Sequence, residues 1–271
     1  MPEYTATIRF YSLEAYQQHD PGLEQLLKKA FSQKGATVCT PWMSTRSLPP
    51  MHNIRISAMD SVPIEELGQV KVPEGVALPI RIGILLYPGF QALDAFGPLD
   101  ALNVLSWTHP VTLSILAASL DPVSTKSPRH AHAAGQSIVP THTFASAPPL
   151  DVLLVPGGLG SRGSGSEVAA AIQLIRDVYP SLKHLITVCT GSSLAARAGV
   201  LDGKRATTNK MAWSEITALG PRVDWVAKAR WVRDGNVWTS SRVSAGIDVA
   251  FAWIEDVFGE EVAQRIAVGM E

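Results

Sequence analysis

From Pro79 onward the chain alternates short apolar runs with longer stretches of helical period, and glycine, proline or aspartate stands at most of the joints. The run "IRIGILLY", Ile80 to Tyr87, predicts a first buried strand, and "ALDAFGPLDALNVL", Ala92 to Leu105, predicts the helix after it. Further strands are predicted at "VTLSILAAS", "DVLLVPGG" (Asp151 to Gly158) and "HLITVC", aliphatic enough for parallel strands covered on both faces. A helix is predicted at "EVAAAIQLIRDVY", and another opens at Thr190. The stretch "DWVAKARWVRDG" continues an alternation that puts Val223, Trp225, Ala227, Ala229 and Trp231 on one side. That period of two predicts a half-exposed strand, joined through the Asp234-Gly235 turn to "NVWTSS". The last strong pattern, "SAGIDVAFAWIEDVFG", is an amphipathic helix that Gly259 ends. Strands alternating with helices predict an α/β fold, a mostly parallel sheet with helices on both faces.

Residues 1–78 read differently. They hold one predicted helix, "GLEQLLKKAFSQKG", and two strand-like runs, "TATIRFY" and "NIRISAM", among connections rich in Pro, Ser and Met. The expected organisation is a partly ordered extension of unassigned role over 1–78 and an α/β domain over 79–271.

Composition narrows the function. A chain of 271 residues with 46% hydrophobic and 17% charged residues and a net charge of -1 has the make-up of an ordinary globular protein. It lacks the basic excess of a nucleic-acid binder. No apolar run approaches the ~20 residues that span a bilayer. Two cysteines, Cys39 and Cys189, and a start without a signal-peptide pattern point to a reducing compartment, the cytoplasm.

The candidate chemistry gathers where strands end. Cys189 stands where "HLITVC" passes into a helix through Thr190 and Gly191, the pattern of a nucleophile elbow. A helix N-terminus there is expected to lower the thiol pKa. A buried structural cysteine fits the same local pattern. Asp94, after the turn "YPGFQALD", belongs to the same sheet edge as a proton-handling partner, or as a helix-dipole carboxylate. Gly157 and Gly158 end another strand there, either as backbone donors to a substrate or as a plain strand-to-loop turn.

Weaker features surround these. Gly160, Gly163 and Gly165 miss the dinucleotide-binding spacing and suggest a mobile loop. His130, His132 and His142 come without HExxH or CxxC, so no metal or other cofactor is expected. G-x-S-x-G is missing too, against a serine hydrolase. Asp100 reads as a solvent-facing charge, Asp248 as a helix-end carboxylate and Lys210 as a solvated charge at the site mouth. Trp213 and Trp253 fit either a pocket or the core.

In this order and spacing, "IRIGILLYPGFQALDAFGPLDAL", "DVLLVPGG", "ITVCTGSSLAARAGVLDGKRATTNKMAW" and "SAGIDVAFAWIEDVFG" resemble the DJ-1/PfpI superfamily, and within it the isonitrile hydratase branch. The resemblance covers roughly residues 79–270, the extent of one family domain. It implies a flavodoxin-like sandwich, a homodimer, and a reactive cysteine on the elbow. Cys189 matches the nucleophile, Asp94 the carboxylate beside it, and Gly158 the glycine whose backbone faces the substrate. Thr190 stands where protease-like and many glyoxalase-like relatives carry His, and Asn209 where hydratase-like and regulator-like relatives commonly do. The implied activity is addition of water to a small-molecule isocyanide, giving an N-substituted formamide, in secondary metabolism. Neither nucleic acid nor membrane is an implied partner. Other members of the superfamily suggest a glyoxalase-like or deglycase enzyme, a redox sensor, or a non-catalytic ligand-sensing domain.

Overall fold

A computed structural model describes residues 78–270. The helix and strands expected before residue 78, and Cys39, lie outside the described residues.

The first strand, β1 (Arg81–Leu85), turns at Gly89 into α1 (Ala92–Leu105). Then come β2 (Thr112–Ala117), the hairpin β3 (Val123–Ser124) and β4 (Ser137–Ile138), and β5 (His142–Thr143). Next are β6 (Val152–Val155), α2 (Ser166–Val178), β7 (His184–Val188) and α3 (Ser192–Arg197). The remainder is β8 (Arg205–Ala206), α4 (Trp213–Thr217), β9 (Asp224–Trp225), β10 (Trp231–Asp234), β11 (Val237–Ser240), α5 (Val243–Phe258) and α6 (Glu260–Gly269).

Seven strands form one sheet in the order β10-β11-β7-β6-β1-β2-β5, parallel throughout except for the β10–β11 pair. The run β2-β1-β6-β7-β11 is the flavodoxin-like order, with the reversal of direction beside β1. All four residues of β6 are buried, as its unbroken aliphatic sequence requires. Contacts put α1, α5 and α6 together, and α2, α3 and α4 together, as the two covering layers. In α2 the buried Val168, Ala171, Ile172 and Ile175 recur at helical spacing, and burying each large aliphatic side chain contributes about 1.5–3 kcal/mol.

Three expectations change. The alternating run from Asp224 to Gly235 is not one strand: β9 pairs with β8 in a separate two-stranded sheet, and β10 pairs with β11. Alternation fixes which side chains share a face but not which neighbour supplies the hydrogen bonds. Here Val226 N–H still bonds Ala206 while Arg230 O accepts from Ser241, so the chain changes partner between them. The helix expected to open at Thr190 begins as a 3-10 turn over Cys189–Gly191 and becomes α-helical at Ser192. Gly259, at φ 96°, ends α5, but a further helix, α6, follows and buries Val262, Ala263 and Ile266.

Candidate active site

Cys189 follows the last residue of β7 and has φ 57°, the one positive φ outside glycine among the described residues. A side-chain-bearing residue in that region costs about 1–2 kcal/mol, so the surroundings must hold it there. They do so through its carbonyl, which accepts from Thr208 Oγ1 at 3.1 Å, while Ser192 Oγ donates to Thr208 Oγ1 at 2.8 Å and lies 3.2 Å from the same carbonyl. Ser192 and Thr208 are fully buried, and the thiol itself is 7% exposed as a residue.

Asp94 lies in the first turn of α1 and is wholly buried. Its Oδ2 accepts the Gly157 N–H at 3.0 Å, whereas Oδ1 has no hydrogen-bond partner among the described residues. A buried polar atom without a partner is rare in folded proteins, and here it belongs to the carboxyl that faces the thiol. A Cβ at Gly157 would stand 2.6 Å from Thr190 N and 2.8 Å from Asp94 Oδ2, so only glycine lets these groups converge.

Of the two roles the sequence left open for these glycines, donors to a substrate or a strand-to-loop turn, their hydrogen bonds fit the turn. Gly157 spends its N–H on Asp94, and Gly158 donates to Thr190 Oγ1 at 2.9 Å. Thr190 Oγ1 donates in turn to Gly158 O at 3.1 Å, with Ser161 Oγ 3.0 Å away. The expected oxyanion donors are thus engaged within the protein, orienting the carboxyl and the loop. Gly158, at φ 133°, would push a Cβ to 2.4 Å from Gly89 O.

Asn209 completes the surroundings of the sulfur. Its Nδ2 donates to Cys189 Sγ at 3.1 Å, and its Oδ1 accepts from Met211 N–H at 2.9 Å and Ala212 N–H at 3.1 Å. Two backbone donors on Oδ1 fix the amide orientation, so the group facing sulfur is a donor with no proton to release.

Electrostatics overturn the expected low-pKa thiol. Burial first, then the Asp94 charge, push the Cys189 thiol up to about 12, against the lowering supplied by Asn209 and the Thr190 N–H. The helix behind it has only six residues. Burial also raises the Asp94 carboxyl to about 7, opposed by the Gly157 N–H and by Cys189. Between those values the two groups hold one proton between them. Tyr87 is buried beside them, donating to Pro156 O at 2.7 Å, and burial together with Asp94 and Cys189 keeps it protonated.

The structure therefore brings Cys189, Asp94, Thr190, Gly157, Gly158 and Asn209 into one site outside the carboxyl ends of β1, β6 and β7, where such sheets reverse order. It adds Tyr87, Ser161 and Thr208, which the sequence did not single out, and gives Ser192, read from the sequence as a small residue leaving room for the turn and a ligand, a hydrogen-bonding place beside the Cys189 carbonyl. Thr208 directly precedes Asn209 and Ser161 follows Gly158 by three, so nearness to the motif ends was the available signal. The Ser/Gly loop, expected to be mobile, is fastened: Gly160 N–H bonds Gly89 O, and Arg197 donates to Ser161 O and Gly163 O. Trp253 is core, whereas Trp213 is half-buried beside Trp225. Asp100 is exposed and Asp248 pairs with Arg230. Among the described residues no three His, Cys, Asp or Glu side chains gather as metal ligands, and no helix is long and apolar enough to cross a membrane.

Comparison with known proteins agrees with this construction. The DJ-1/PfpI family pattern matches residues 80–256. The isonitrile hydratase of Pseudomonas putida is 35% identical over 194 residues, covering 72% of this chain and 79% of that one. A deglycase of Pyrococcus horikoshii is 32% identical over 125 residues, 45% of this chain and 70% of that protein. A THiJ/PfpI family protein from Pseudomonas syringae superposes with a TM-score of 0.59 at 29% identity, over 71% of this chain and 74% of that one. A strained cysteine at the end of a parallel strand, a buried carboxyl facing it and this extent of similarity identify the chain as a member of the DJ-1/PfpI family.

Proposed function

We propose that this protein is an isonitrile hydratase-like lyase that adds water to an isocyanide, with Cys189 as nucleophile and Asp94 as proton carrier. The observation that carries this reading is what surrounds the sulfur: a carboxyl on one side and a fixed amide donor on the other. An isocyanide carbon accepts a nucleophile and a proton at the same atom. A thiolate beside a protonated carboxyl supplies both.

The pair's single proton rests on sulfur, the more basic group, and the reactive form is the minor one in which it has passed to Asp94, with the Asn209 amide and Thr190 N–H stabilising the thiolate so formed. Sulfur attacks the terminal carbon, Asp94 protonates that carbon, and a thioimidate, S–CH=N–R, forms beside a carboxylate. Asp94 then takes a proton from the attacking water and passes it to nitrogen, giving S–CH(OH)–NH–R. As that adduct collapses, the hydroxyl proton returns to Asp94, the C–S bond breaks, and the formamide leaves with the thiolate restored. The first step develops no oxyanion, which suits a site whose glycine N–H groups are already engaged. The deglycase-like alternative draws on the Pyrococcus horikoshii relative.

As parts of the same proposal, the enzyme works in the cytoplasm as a homodimer, in secondary metabolism, with residues 1–78 as an extension outside the catalytic domain. Light scattering on the purified chain tests the dimer. Incubation with cyclohexyl isocyanide tests the reaction: N-cyclohexylformamide, formed in proportion to enzyme, is the expected product, and its absence contradicts the proposal.

A further inference from the structure

Lys210 directly follows Asn209, whose amide meets the sulfur. Its half-buried ammonium donates to Thr207 Oγ1 at 2.6 Å and Val226 O at 3.4 Å, and stands 4.6 Å from the centre of the Trp213 ring. These partners are neutral, and an ammonium has three N–H bonds to place. Arg242 immediately precedes α5. Four residues into that segment, Gly246 packs so closely on Val188 that a Cβ would stand 2.5 Å from Val188 Cγ1. Arg242 therefore shares the sheet edge of Cys189. Burial, and then the Arg242 charge, push the Lys210 ammonium down to about 8.

Among the described residues neither cation has a carboxylate within ion-pair reach. Two carboxylates on the adjoining helices are engaged elsewhere, Asp248 of α5 with Arg230 and Glu215 of α4 with Arg129 and Arg162. Thr207, which holds the ammonium, donates its N–H to Thr239 Oγ1 at 2.8 Å, three residues before Arg242, so the two cations meet at one edge of the sheet. Like charges brought together there, one of them partly desolvated, are unfavourable until an anion joins them. This uncompensated pair stands at the site edge of a chain whose net charge is -1.

We propose that Lys210 and Arg242 form an anion subsite for a carboxylate on the substrate, so that the isocyanide hydrated at Cys189 is one that carries a carboxylate. The isocyanide half rests on the function proposed above. The anion subsite rests on the two cations alone.

Two readouts on the full chain separate these halves. In the first, mass spectrometry follows alkylation of Cys189 by iodoacetate and by iodoacetamide in the parent, Lys210→Met, Arg242→Gln, Arg242→Lys and Lys183→Gln. The last removes a positive charge at the opposite sheet edge. The iodoacetate-to-iodoacetamide rate ratio is expected to fall about fivefold or more in Lys210→Met and Arg242→Gln, and to stay near the parent value in Arg242→Lys and Lys183→Gln. In the second, kcat/KM is compared for 4-isocyanobenzoate and its methyl ester. The carboxylate preference is expected to fall about tenfold or more in the same two variants.

Alkylation ratios that ignore both substitutions overturn the anion subsite. Hydration of the ester as fast as the acid, with no response to either substitution, overturns the carboxylate-bearing substrate and leaves the hydratase standing. A lost alkylation preference with no hydration of either compound overturns the isocyanide reading and leaves the anion subsite. Because Arg242 is exposed, its variants test the idea even if Lys210→Met fails to fold.

Discussion

Asp151 precedes β6 at the amino edge of the sheet, Asp94 sits at the carboxyl edge, and both are buried. Asp151 is saturated. Its Oδ2 accepts from the N–H groups of Ile80 and Arg81 and from Arg81 Nε, and its Oδ1 faces the other arm of the guanidinium at 2.9 Å and Lys183 at 3.6 Å. The Arg81 bond above all holds its carboxyl down at about 2. Asp94 has one backbone donor, an oxygen with no hydrogen-bond partner among the described residues, a thiol for a neighbour and a carboxyl raised to about 7. The fold thus knows how to satisfy a buried carboxylate and does so where only structure is at stake. At the other edge it leaves one short of partners, which costs stability and keeps a proton transferable near neutral pH.

Exchanging each carboxyl for an amide sharpens this contrast. Asp94→Asn removes the proton carrier and is expected to lower kcat/KM for isocyanide hydration by about 10³-fold, within the range for general acid-base groups. Asp151→Asn is expected to leave turnover within about twofold of the parent, since it lies at the opposite edge. Equal losses from the two exchanges would erase the distinction.

Stability should move the other way. The folded carboxyl of Asp94, at about 7, lies above its ordinary value of 3.8, so the folded state binds that proton more tightly. Its contribution is fully present below about pH 4 and is lost as pH rises through about 7. By linkage the raised carboxyl lowers stability, relative to its protonated form, by on the order of 4 kcal/mol at pH 8 and by less than half of that at pH 5. Asp94→Asn is therefore expected to be more stable than the parent in urea, by more at pH 8 than at pH 5. A variant less stable at both values contradicts the burial cost.

Smaller effects follow at the sulfur and at the amino edge. Asn209→Ala takes a donor from the thiolate and is expected to lower kcat/KM about 10–100-fold, through kcat more than KM. The smallest effect is the loss of stability in Asp151→Asn, about 1 kcal/mol once solvent screening of the half-exposed Arg81 is allowed for. Its sign is opposite to that of Asp94. With the folded carboxyl held below its ordinary value, the stabilisation is present above about pH 4 and lost as pH falls through about 2. Acid titrations of the parent and Asp151→Asn, followed by circular dichroism, should therefore converge at low pH.

The same contrast shows what was legible in the sequence. The parallel strands could be read because β6 is aliphatic from end to end, and β1 and β7 are mostly apolar and wholly buried after a polar first residue, a direct imprint of being covered on both faces. Cys189 and Asp94 could be placed at one edge because strand-to-helix joints in such sheets share that edge. The proton affinities could not be read. A helix N-terminus next to Cys189 argued for a low-pKa thiol, but burial and the carboxylate charge outweigh a helix of six residues. The hydrogen bonds of Gly157 and Gly158 were hidden for a related reason: their acceptors lie 63 and 32 residues away in sequence. The break within the alternating run after Asp224 depends on which strand lies alongside, and a period of two carries no information on that.

The most direct test is to incubate the protein and its Cys189→Ala variant with cyclohexyl isocyanide and follow N-cyclohexylformamide by mass spectrometry, with circular dichroism to show that both chains are folded. The account predicts formamide from the parent and none above the uncatalysed rate from Cys189→Ala. Formamide from both, or from neither, would contradict it.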